Sequence, residues 1–278
     1  MGSGSHVPDI TVITPTIRWG GLDIWKTSLQ RQTFKNFEAF LLDEQFDARH
    51  ADVSQYFAKD DRLHHVRPPQ KDPDKFFNLS KSLNVGLRLA RGSLVVFFQD
   101  YIWLPEDALA KFWTRSQEVG DALITGVGHK YAPLAPMLNP KGHLSVFTRD
   151  GGVAKHEPGD CPEAATRKPV TIVEPDPRMA LRGWCLGNPA QYETNWAAAS
   201  KKALNQIGGF DEDFDAGYAY DNVNLAERAQ LAGYYIWLDP ENPSYSLSHE
   251  LLFGKHDLKA AAPRNTELWR KKNQELYS

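Results

Sequence analysis

Short runs of apolar and β-branched residues recur along the first part of the chain. They predict four strands, at Asp9–Thr16, Phe37–Leu42, Leu63–Val66 and Leu94–Phe98. The last of these runs is apolar throughout, which is typical of a strand that is buried on both faces of a parallel sheet. The first part of the chain is therefore predicted to contribute the centre of a sheet.

Between these runs the apolar positions are spaced as on one face of a helix. Leu22–Gln32 is a predicted helix whose apolar residues lie three or four positions apart. A second helical face extends over Leu79–Ala90, and Gly92 is predicted to cap its C-terminus. A third helix is predicted to begin at Pro105–Asp107, where a proline precedes two acidic residues at the positive end of the helix dipole.

Strands separated by helices predict right-handed βαβ units, and thus an α/β fold with a Rossmann-like, mainly parallel sheet flanked by helices. In such sheets ligands bind at the carboxyl ends of the strands. Three strand ends carry polar groups, namely Thr14-Pro15-Thr16, Asp43-Glu44 and Gln99-Asp100-Tyr101. We predict that they form one cleft. A GxGxxG loop and a P-loop are absent, which weighs against a classical dinucleotide-binding fold.

Composition narrows the class of protein further. The 278 residues are 41% hydrophobic and carry a net charge of -3, so the chain has no general basic footprint for nucleic acid. The two cysteines form no CxxC pair, which argues against a zinc site or a disulfide framework. No apolar run approaches the roughly 18 residues that a spanning helix needs. We expect a cytoplasmic protein, or one that is peripheral at a membrane, and we interpret Met1–His6 as an expression-tag remnant.

A segment in the last third of the chain carries the strongest chemical signal. Ile207–Phe214 opens with a glycine pair and continues with acidic residues, and a second acidic cluster follows at Tyr220–Leu225, at the predicted start of a helix. Carboxylates are favoured near a helix N-terminus, and loops at this position are open to a substrate. A helix cap beside a solvated acidic loop is the alternative interpretation.

Several motifs, in order, resemble those of family 2 glycosyltransferases. ITVITPTIR and LQRQTFKNFEAFLLDE resemble the family's opening strand–helix–strand unit, and NVG, ARG and FFQDYIWLP resemble its NxGxxxAxGxxxxFLDxDDxxxP pattern. GGFDE and DNVNL resemble its GGFDE…(E/D)DVDL segment. The resemblance extends from about Ile10 to His249 and implies a single domain with the GT-A fold at 7–278, a nucleotide-sugar donor and an inverting transfer.

The resemblance also implies a donor site at the strand ends. Asp43 would accept hydrogen bonds from the base of a UDP- or GDP-sugar, with Glu44 beside it, although an ordinary polar turn at these two positions is the alternative. The implied donor-site residues are Thr14, Pro15, Thr16, Asp43, Glu44, Gln99 and Asp100.

A divalent cation is the implied cofactor. A carboxylate in FFQDYIW would hold Mn²⁺ or Mg²⁺ against the donor diphosphate. Asp100 is the one carboxylate there, because Phe98 and Tyr101 replace acids that are usual in the family. His249 matches a position where family members often supply a histidine ligand, and a purely structural histidine is the alternative.

The implied catalytic base is Asp221, which aligns with the first acid of the family's EDVDL segment, whereas Asn222 aligns with the second and cannot take a proton. Asp213 and Asp215 are the alternative bases. A purely structural role for Asp221, as N-cap of a helix over Val223–Ala232, also remains open.

The resemblance divides the chain into a nucleotide-binding half at about 7–105, an acceptor-side half at about 106–255 and a helical tail at 256–278. The irregular segment Tyr131–Pro189 would belong to the acceptor side, or be a solvated insertion. The acceptor is expected to be a glycan or a glycolipid, and a nucleic acid remains open. Two other functions compete with transfer: a degenerate nucleotide-sugar-binding domain without turnover, and a nucleotidyltransferase.

Overall fold

The computed structural model describes residues 7–17, 22–75, 78–100, 102–131, 172–174, 176–181, 183–247 and 255–278. The strands are β1 (Ile10–Thr16), β2 (Phe37–Asp43), β3 (Leu63–Val66), β4 (Leu94–Phe98), β5 (Ile102–Trp103), β6 (Ala122–Tyr131), β7 (Ile172–Glu174), β8 (Cys185–Leu186), β9 (Trp196–Ser200) and β10 (Tyr235–Leu247). The helices are α1 (Leu22–Gln30), α2 (Phe46–Phe57), α3 (Leu79–Leu89), α4 (Ala108–Val119), α5 (Lys201–Gln206), α6 (Asp221–Leu231) and α7 (Lys255–Leu276).

The described strands form one ten-stranded sheet. Its order is β3-β2-β1-β4-β9-β6-β10-β5, with β7 added beside β6 and β8 beside β10. The pairs β1–β2, β1–β4, β2–β3 and β6–β10 are parallel, and β9 runs antiparallel between β4 and β6. The predicted α/β architecture with a mainly parallel sheet flanked by helices is confirmed.

Apolar side chains cover both faces of the sheet because the residues of each strand alternate in direction. On one face Val12 packs with Trp25 of α1 and Phe112 of α4. On the other face Ile13 packs with Leu83 of α3, and with residues of α5 and α6. This three-layer arrangement leaves the carboxyl ends of β1, β2 and β4 as one continuous edge.

Two local predictions differ from the structure. Helix α2 was not predicted, because its buried stripe begins with a charged residue: the stripe consists of Arg49, Val53 and Phe57. Gly92 is not the C-cap of α3, since the cap is Ala90. A Cβ atom at Gly92 would lie 2.6 Å from the backbone carbon of Ile10, so glycine is needed there for the close approach of the chain to β1.

The irregular segment predicted at Tyr131–Pro189 falls largely outside the described residues, and its acceptor-side role stays a prediction. None of the helices in the described ranges combines the length and the apolar character that crossing a membrane requires.

Candidate active site

The carboxyl ends of β1, β2 and β4 lie side by side. Thr16 is paired in register with Asp43, and Gln99 and Asp100 directly follow β4. The Thr16 hydroxyl donates a hydrogen bond to the Asp100 carboxylate, and the Glu44 amide donates to the Thr16 carbonyl over 2.9 Å. The structure therefore brings Thr16, Glu44 and Asp100 together at one edge of the sheet.

The other candidates on β1 and after β4 are held by internal hydrogen bonds. Thr14 is buried, and its Oγ1 accepts a hydrogen bond of 2.8 Å from Nε1 of Trp25. Pro15 is half-buried between the two threonines. The Gln99 side chain donates to the side-chain oxygen of Asn195, in the loop that leads into β9. Thr14 and Gln99 thus shape the edge of the sheet through contacts within the protein.

Asp43 is fully buried and both of its carboxylate oxygens accept hydrogen bonds. Arg49 donates through Nε to Oδ2 over 2.6 Å and through Nη2 to Oδ1 over 2.8 Å. His65 Nε2 lies 2.8 Å from Oδ2, and the Gln45 amide donates to Oδ1 over 2.8 Å. Burial alone would raise the pKa of Asp43, but the hydrogen bonds from His65 and Arg49 outweigh it and hold the pKa below its usual value. Both carboxylate oxygens thus already have protein partners, and the contact of Asp43 with the base of a donor stays a prediction.

Sequence reasoning missed Arg49 and His65 as partners of Asp43. The Phe46 ring stacks on His65 with ring centroids 4.6 Å apart and on His50 at 4.1 Å, so the imidazole that contacts the carboxylate is itself held by ring stacking. The sequence offers one signal for His65: it is two positions after Leu63 in β3, so the two side chains lie on the same face of the strand.

The charge of Asp215 acts on two carboxylates from distant parts of the chain, Glu44 and Asp221. Burial raises the pKa of Glu44, the charges of Asp215 and Asp43 raise it further, and Lys71 partly offsets the effect. Burial also raises the pKa of Asp221 to about 6, and the charge of Asp215 contributes. Asp215 therefore connects the strand edge electrostatically with Asp221, at the start of α6.

Asp221 follows a strained turn. Ala219 and Tyr220 have φ angles of 70° and 71°, in the left-handed region that non-glycine residues rarely adopt. Such strain persists only where the surrounding structure enforces it, and it occurs preferentially at functional sites. Helix α6 begins at Asp221 and its N-cap is Tyr220, so the alternative that Asp221 caps a helix over Val223–Ala232 is wrong in its register.

The two alternative bases are engaged elsewhere. Asp215 is buried and accepts hydrogen bonds of 2.7 and 3.1 Å from the amides of Ser80 and Lys81, so it caps the N-terminus of α3. Asp213 is exposed and bonds to Lys272 over 2.9 Å, and this hydrogen bond lowers the pKa of Asp213. Neither carboxylate combines accessibility with the raised pKa that a base at neutral pH requires.

Asn222 has a structural partner that an aspartate would lack. Its Nδ2 donates to the carbonyl of Tyr192, a fully buried residue that ends the 3₁₀ turn Pro189–Gln191. An aspartate would place a second charge beside Asp221 and would have no N–H group for this carbonyl. The amide therefore fixes α6 against the loop before β9.

The glycine pair forms the turn that precedes the acidic loop. Gly209 has a φ angle of 72°, and a Cβ atom there would lie 2.6 Å from Oδ1 of Asn84. Arg228 of α6 donates from Nη2 to the Gly209 carbonyl over 2.7 Å and from Nη1 to the Ile207 carbonyl. The turn is therefore fixed from both α3 and α6.

The described residues offer few protein ligands for a metal. Asp100 is buried beside the Thr16 hydroxyl, and Phe98 lies in the core, against Trp196. No group of three or more His, Cys, Asp or Glu side chains suited to a metal occurs in the described ranges. His249 and Tyr101 lie outside them. Asp100 fits a hard cation as one oxygen ligand, so further ligands must come from a bound diphosphate or from residues outside the described part.

No family model matches the chain, and no curated protein is similar to it at a significant level. Solved structures are similar in fold. S. aureus TarS 1–349 in complex with UDP-GlcNAc has a TM-score of 0.59 at 13% identity, over 89% of this chain and 60% of that one. The mannosyltransferase PcManGT from Pyrobaculum calidifontis, in complex with GDP-Man and Mn²⁺, has a TM-score of 0.57 at 17% identity, over 91% of this chain and 59% of that one.

These likenesses establish the GT-A glycosyltransferase fold that the sequence motifs predicted. This chain spans about 60% of the length of the solved chains it matches. At such identities the likeness concerns the fold, and the activity has to be argued from the residues at the strand edge.

Proposed function

We propose that this chain is an inverting glycosyltransferase that moves a sugar from a nucleotide-sugar donor to an acceptor hydroxyl, with Asp221 as the base. The observation that carries the proposal is the position of Asp221 after a strained turn, within charge range of Asp215, which also interacts with Glu44 at the strand edge. Perturbed carboxylates of this kind are typical of catalytic sites.

The chemistry follows from one displacement. The acceptor oxygen forms a bond to the anomeric carbon as the bond from that carbon to the nucleoside diphosphate breaks. Asp221 takes the acceptor's proton, and the diphosphate leaves with the bonding electron pair. With a pKa of about 6, Asp221 is ionised at neutral pH yet basic enough to assist the transfer. A single displacement inverts the anomeric configuration.

The donor is assigned to the strand edge. We propose that the base lies near the network around Asp43 and near Glu44, and the diphosphate near Thr16 and Asp100, with Thr14, Pro15 and Gln99 shaping the pocket. The solved neighbours support a nucleotide-sugar donor, because they are complexes with UDP-GlcNAc, UDP and GDP-Man. UDP- and GDP-sugars are the donors to test first.

We assign Asp100, and His249 as a second protein ligand, to a divalent cation. PcManGT has Mn²⁺ bound together with GDP-Man, which supports Mn²⁺ as the ion to test before Mg²⁺. When bound, such a cation would neutralise charge on the leaving diphosphate. The acceptor side is assigned to about 106–255, with a glycan or glycolipid as the expected acceptor.

Asp221→Asn tests the proposal, because asparagine keeps the shape of the side chain but cannot take a proton. With the donor identified by thermal stabilisation, transfer should fall by roughly 10²–10⁴ while donor affinity stays near that of the wild type. Asp213→Asn is the matched control and should transfer at about the wild-type rate.

The product distinguishes the competing functions. An inverted glycoside and a released nucleoside diphosphate support the proposal. Released pyrophosphate would instead indicate a nucleotidyltransferase, and donor binding without turnover would indicate a binding domain. A retained configuration would rule out the single displacement.

A further inference from the structure

Helix α7 contacts the strained turn at Ala219 and Tyr220, directly before Asp221. Asn265 is 1% exposed, and its Nδ2 donates to the carbonyl of Ala219 in this turn over 2.8 Å and to that of Phe214, in the preceding 3₁₀ turn Glu212–Ala216, over 2.9 Å. The same amide group therefore joins the 3₁₀ turn Glu212–Ala216 to the first left-handed residue, Ala219.

The approach of α7 to the turn depends on Gly217. A Cβ atom at this position would lie 2.5 Å from Oδ1 of Asn265 and 2.6 Å from the carbonyl oxygen of Ala261, which are distances that side chains do not adopt. The next amide, of Tyr218, donates to that carbonyl over 3.3 Å. The backbone at Gly217 and Tyr218 thus lies directly against α7.

Burying the polar side chain of Asn265 costs free energy that a residue serving packing alone would not need to cost. Its Oδ1 is buried and has no hydrogen-bond partner among the described residues. An unsatisfied buried polar atom costs about 1–3 kcal/mol. An apolar side chain would avoid this cost but would remove the donor to the Ala219 carbonyl, whereas the Phe214 carbonyl would keep the hydrogen bond of 3.2 Å from the Gly217 amide. The asparagine at position 265 is explained if its hydrogen bond to the Ala219 carbonyl stabilises the turn by more than the unpaired Oδ1 costs.

A second contact from α7 fixes the residue next to the base. The Tyr220 ring stacks on Trp269 with ring centroids 5.1 Å apart and an angle of 22° between the rings. Trp269 is itself fixed to α6, because its Nε1 donates to Glu227 over 2.9 Å. Tyr220 is therefore held by its side chain in the same region where Asn265 holds the Ala219 carbonyl.

Left-handed conformations at two successive non-glycine residues cost about 1–3 kcal/mol each, and such a turn relaxes unless its surroundings enforce it. Relaxation would turn the peptide that leads into Asp221 and move the first residue of α6. We propose that Asn265 is a positioning residue for Asp221: by holding the Ala219 carbonyl it enforces the left-handed turn that directs the Asp221 carboxylate toward the strand edge. This inference rests on the proposed role of Asp221 as the base.

The test compares Asn265→Ala with Asn273→Ala in the full chain. Asn273 is the control because it is another asparagine of α7, partly buried, that donates to Glu227 over 3.2 Å instead of to the turn. We expect Asn265→Ala to lower kcat by about 10- to 100-fold, since small misplacements of a reacting group have effects of this size. The KM for the donor should change by less than about two-fold, because the strand edge is untouched.

A local readout separates this inference from the proposed function. In Asn265→Ala, backbone amides of 218–222 should exchange hydrogen at least about ten-fold faster than in the wild type, whereas those of β1 and β4 should be unchanged. This measurement needs no donor, so it holds even if the wild type transfers no sugar. Asn273→Ala should leave the exchange of 218–222 unchanged.

Gly217→Ala offers a second route if Asn265→Ala fails to fold. The added Cβ should separate α7 from the turn and reproduce the loss of kcat and the faster exchange. Gly128→Ala is its control, because a Cβ there would meet its nearest neighbour, Oγ of Ser244, at an ordinary 3.6 Å. Wild-type exchange at 218–222 in Asn265→Ala would overturn the inference, as would an equal loss of kcat in Asn273→Ala.

Discussion

Asn84 of α3 forms both hydrogen bonds of the Phe210 main chain: its Nδ2 donates to the Phe210 carbonyl over 2.9 Å, and its Oδ1 accepts from the Phe210 amide over 2.8 Å. The Nδ2 group also donates to Glu212 over 2.9 Å. Two motifs that lie 126 positions apart, NVG and GGFDE, are thus joined through one side chain. This contact fixes the GGFDE segment to α3.

Asn84→Ala is expected to lower the free energy of unfolding by about 2–4 kcal/mol. The substitution leaves the N–H and C=O groups of Phe210 without partners in a buried setting, and each such group costs about 1–3 kcal/mol. Urea unfolding at pH 7.5 measures the change. Asn205→Ala is the control on the exposed surface of α5 and should stay within about 0.5 kcal/mol of the wild type. Equal losses in both variants would contradict the role given to Asn84.

Arg49→Ala should destabilise the protein by about 3–5 kcal/mol, because it leaves the buried Asp43 carboxylate without its main partner. Arg67→Ala is the matched control: it breaks the Arg67–Asp47 pair, whose side chains are 60% and 74% exposed, and should cost less than about 1 kcal/mol. Chemical denaturation with 0.1 M and about 1 M salt checks both, and salt should hardly change the Arg49 effect because buried pairs are poorly screened.

The sheet could be predicted from the sequence because its strands are apolar runs, such as Leu94–Phe98, that no helix periodicity explains. The side-chain contacts around the candidate site could not be predicted in this way. The stripe that buries α2 contains Arg49, whose burial makes sense only beside Asp43, six positions earlier. The strain at Ala219 depends on Asn265, 46 positions later, and no local pattern shows that dependence.

For the candidate site, too, the sequence predicted some residues and the structure added their contacts. Motif order pointed to Asp100 and Asp221, and the structure adds that Asp100 bonds to Thr16 and that the start of α6 follows a left-handed turn. Their roles in catalysis remain predictions. The replacement of an acid by Asn222 looked like a defect in the motif, but its bond to the Tyr192 carbonyl gives it a structural reason.

Asp100→Ala should abolish any dependence of donor binding on divalent cations, because Asp100 is the one carboxylate at the end of β4. His249→Ala should weaken that dependence less, since imidazole would be one ligand among several. Thermal shifts with UDP- and GDP-sugars, with Mn²⁺ or with EDTA, measure both effects. Asp61→Ala, in an exposed position before β3, is the control. Equal donor affinity of the wild type in Mn²⁺ and in EDTA would count against a metal at Asp100.

The raised pKa of Asp221 also predicts how stability depends on pH. The carboxyl group titrates near its ordinary value of about 3.9 in the unfolded chain and at about 6 in the folded protein. Between these values the folded state binds the extra proton, so stability falls as pH rises from about 4 to 6 and the loss is complete above the folded pKa. Asp221→Asn removes this cost. The variant should be more stable than the wild type by about 1–3 kcal/mol at pH 8, and the difference should shrink towards zero near pH 4.

Asp213→Asn provides the control of opposite sign, because the hydrogen bond from Lys272 lowers the pKa of Asp213, and its ionised form therefore contributes stability at neutral pH. Denaturant unfolding of both variants and the wild type at pH 5, 6.5 and 8 tests the pair of expectations. If Asp221→Asn gained no stability between pH 5 and 8, the Asp221 carboxyl would titrate normally, and the explanation of Asp221 as a base tuned by burial would fail. If it gained stability while losing transfer, the site would hold this carboxylate at the expense of the fold, as expected for a group retained for its chemistry.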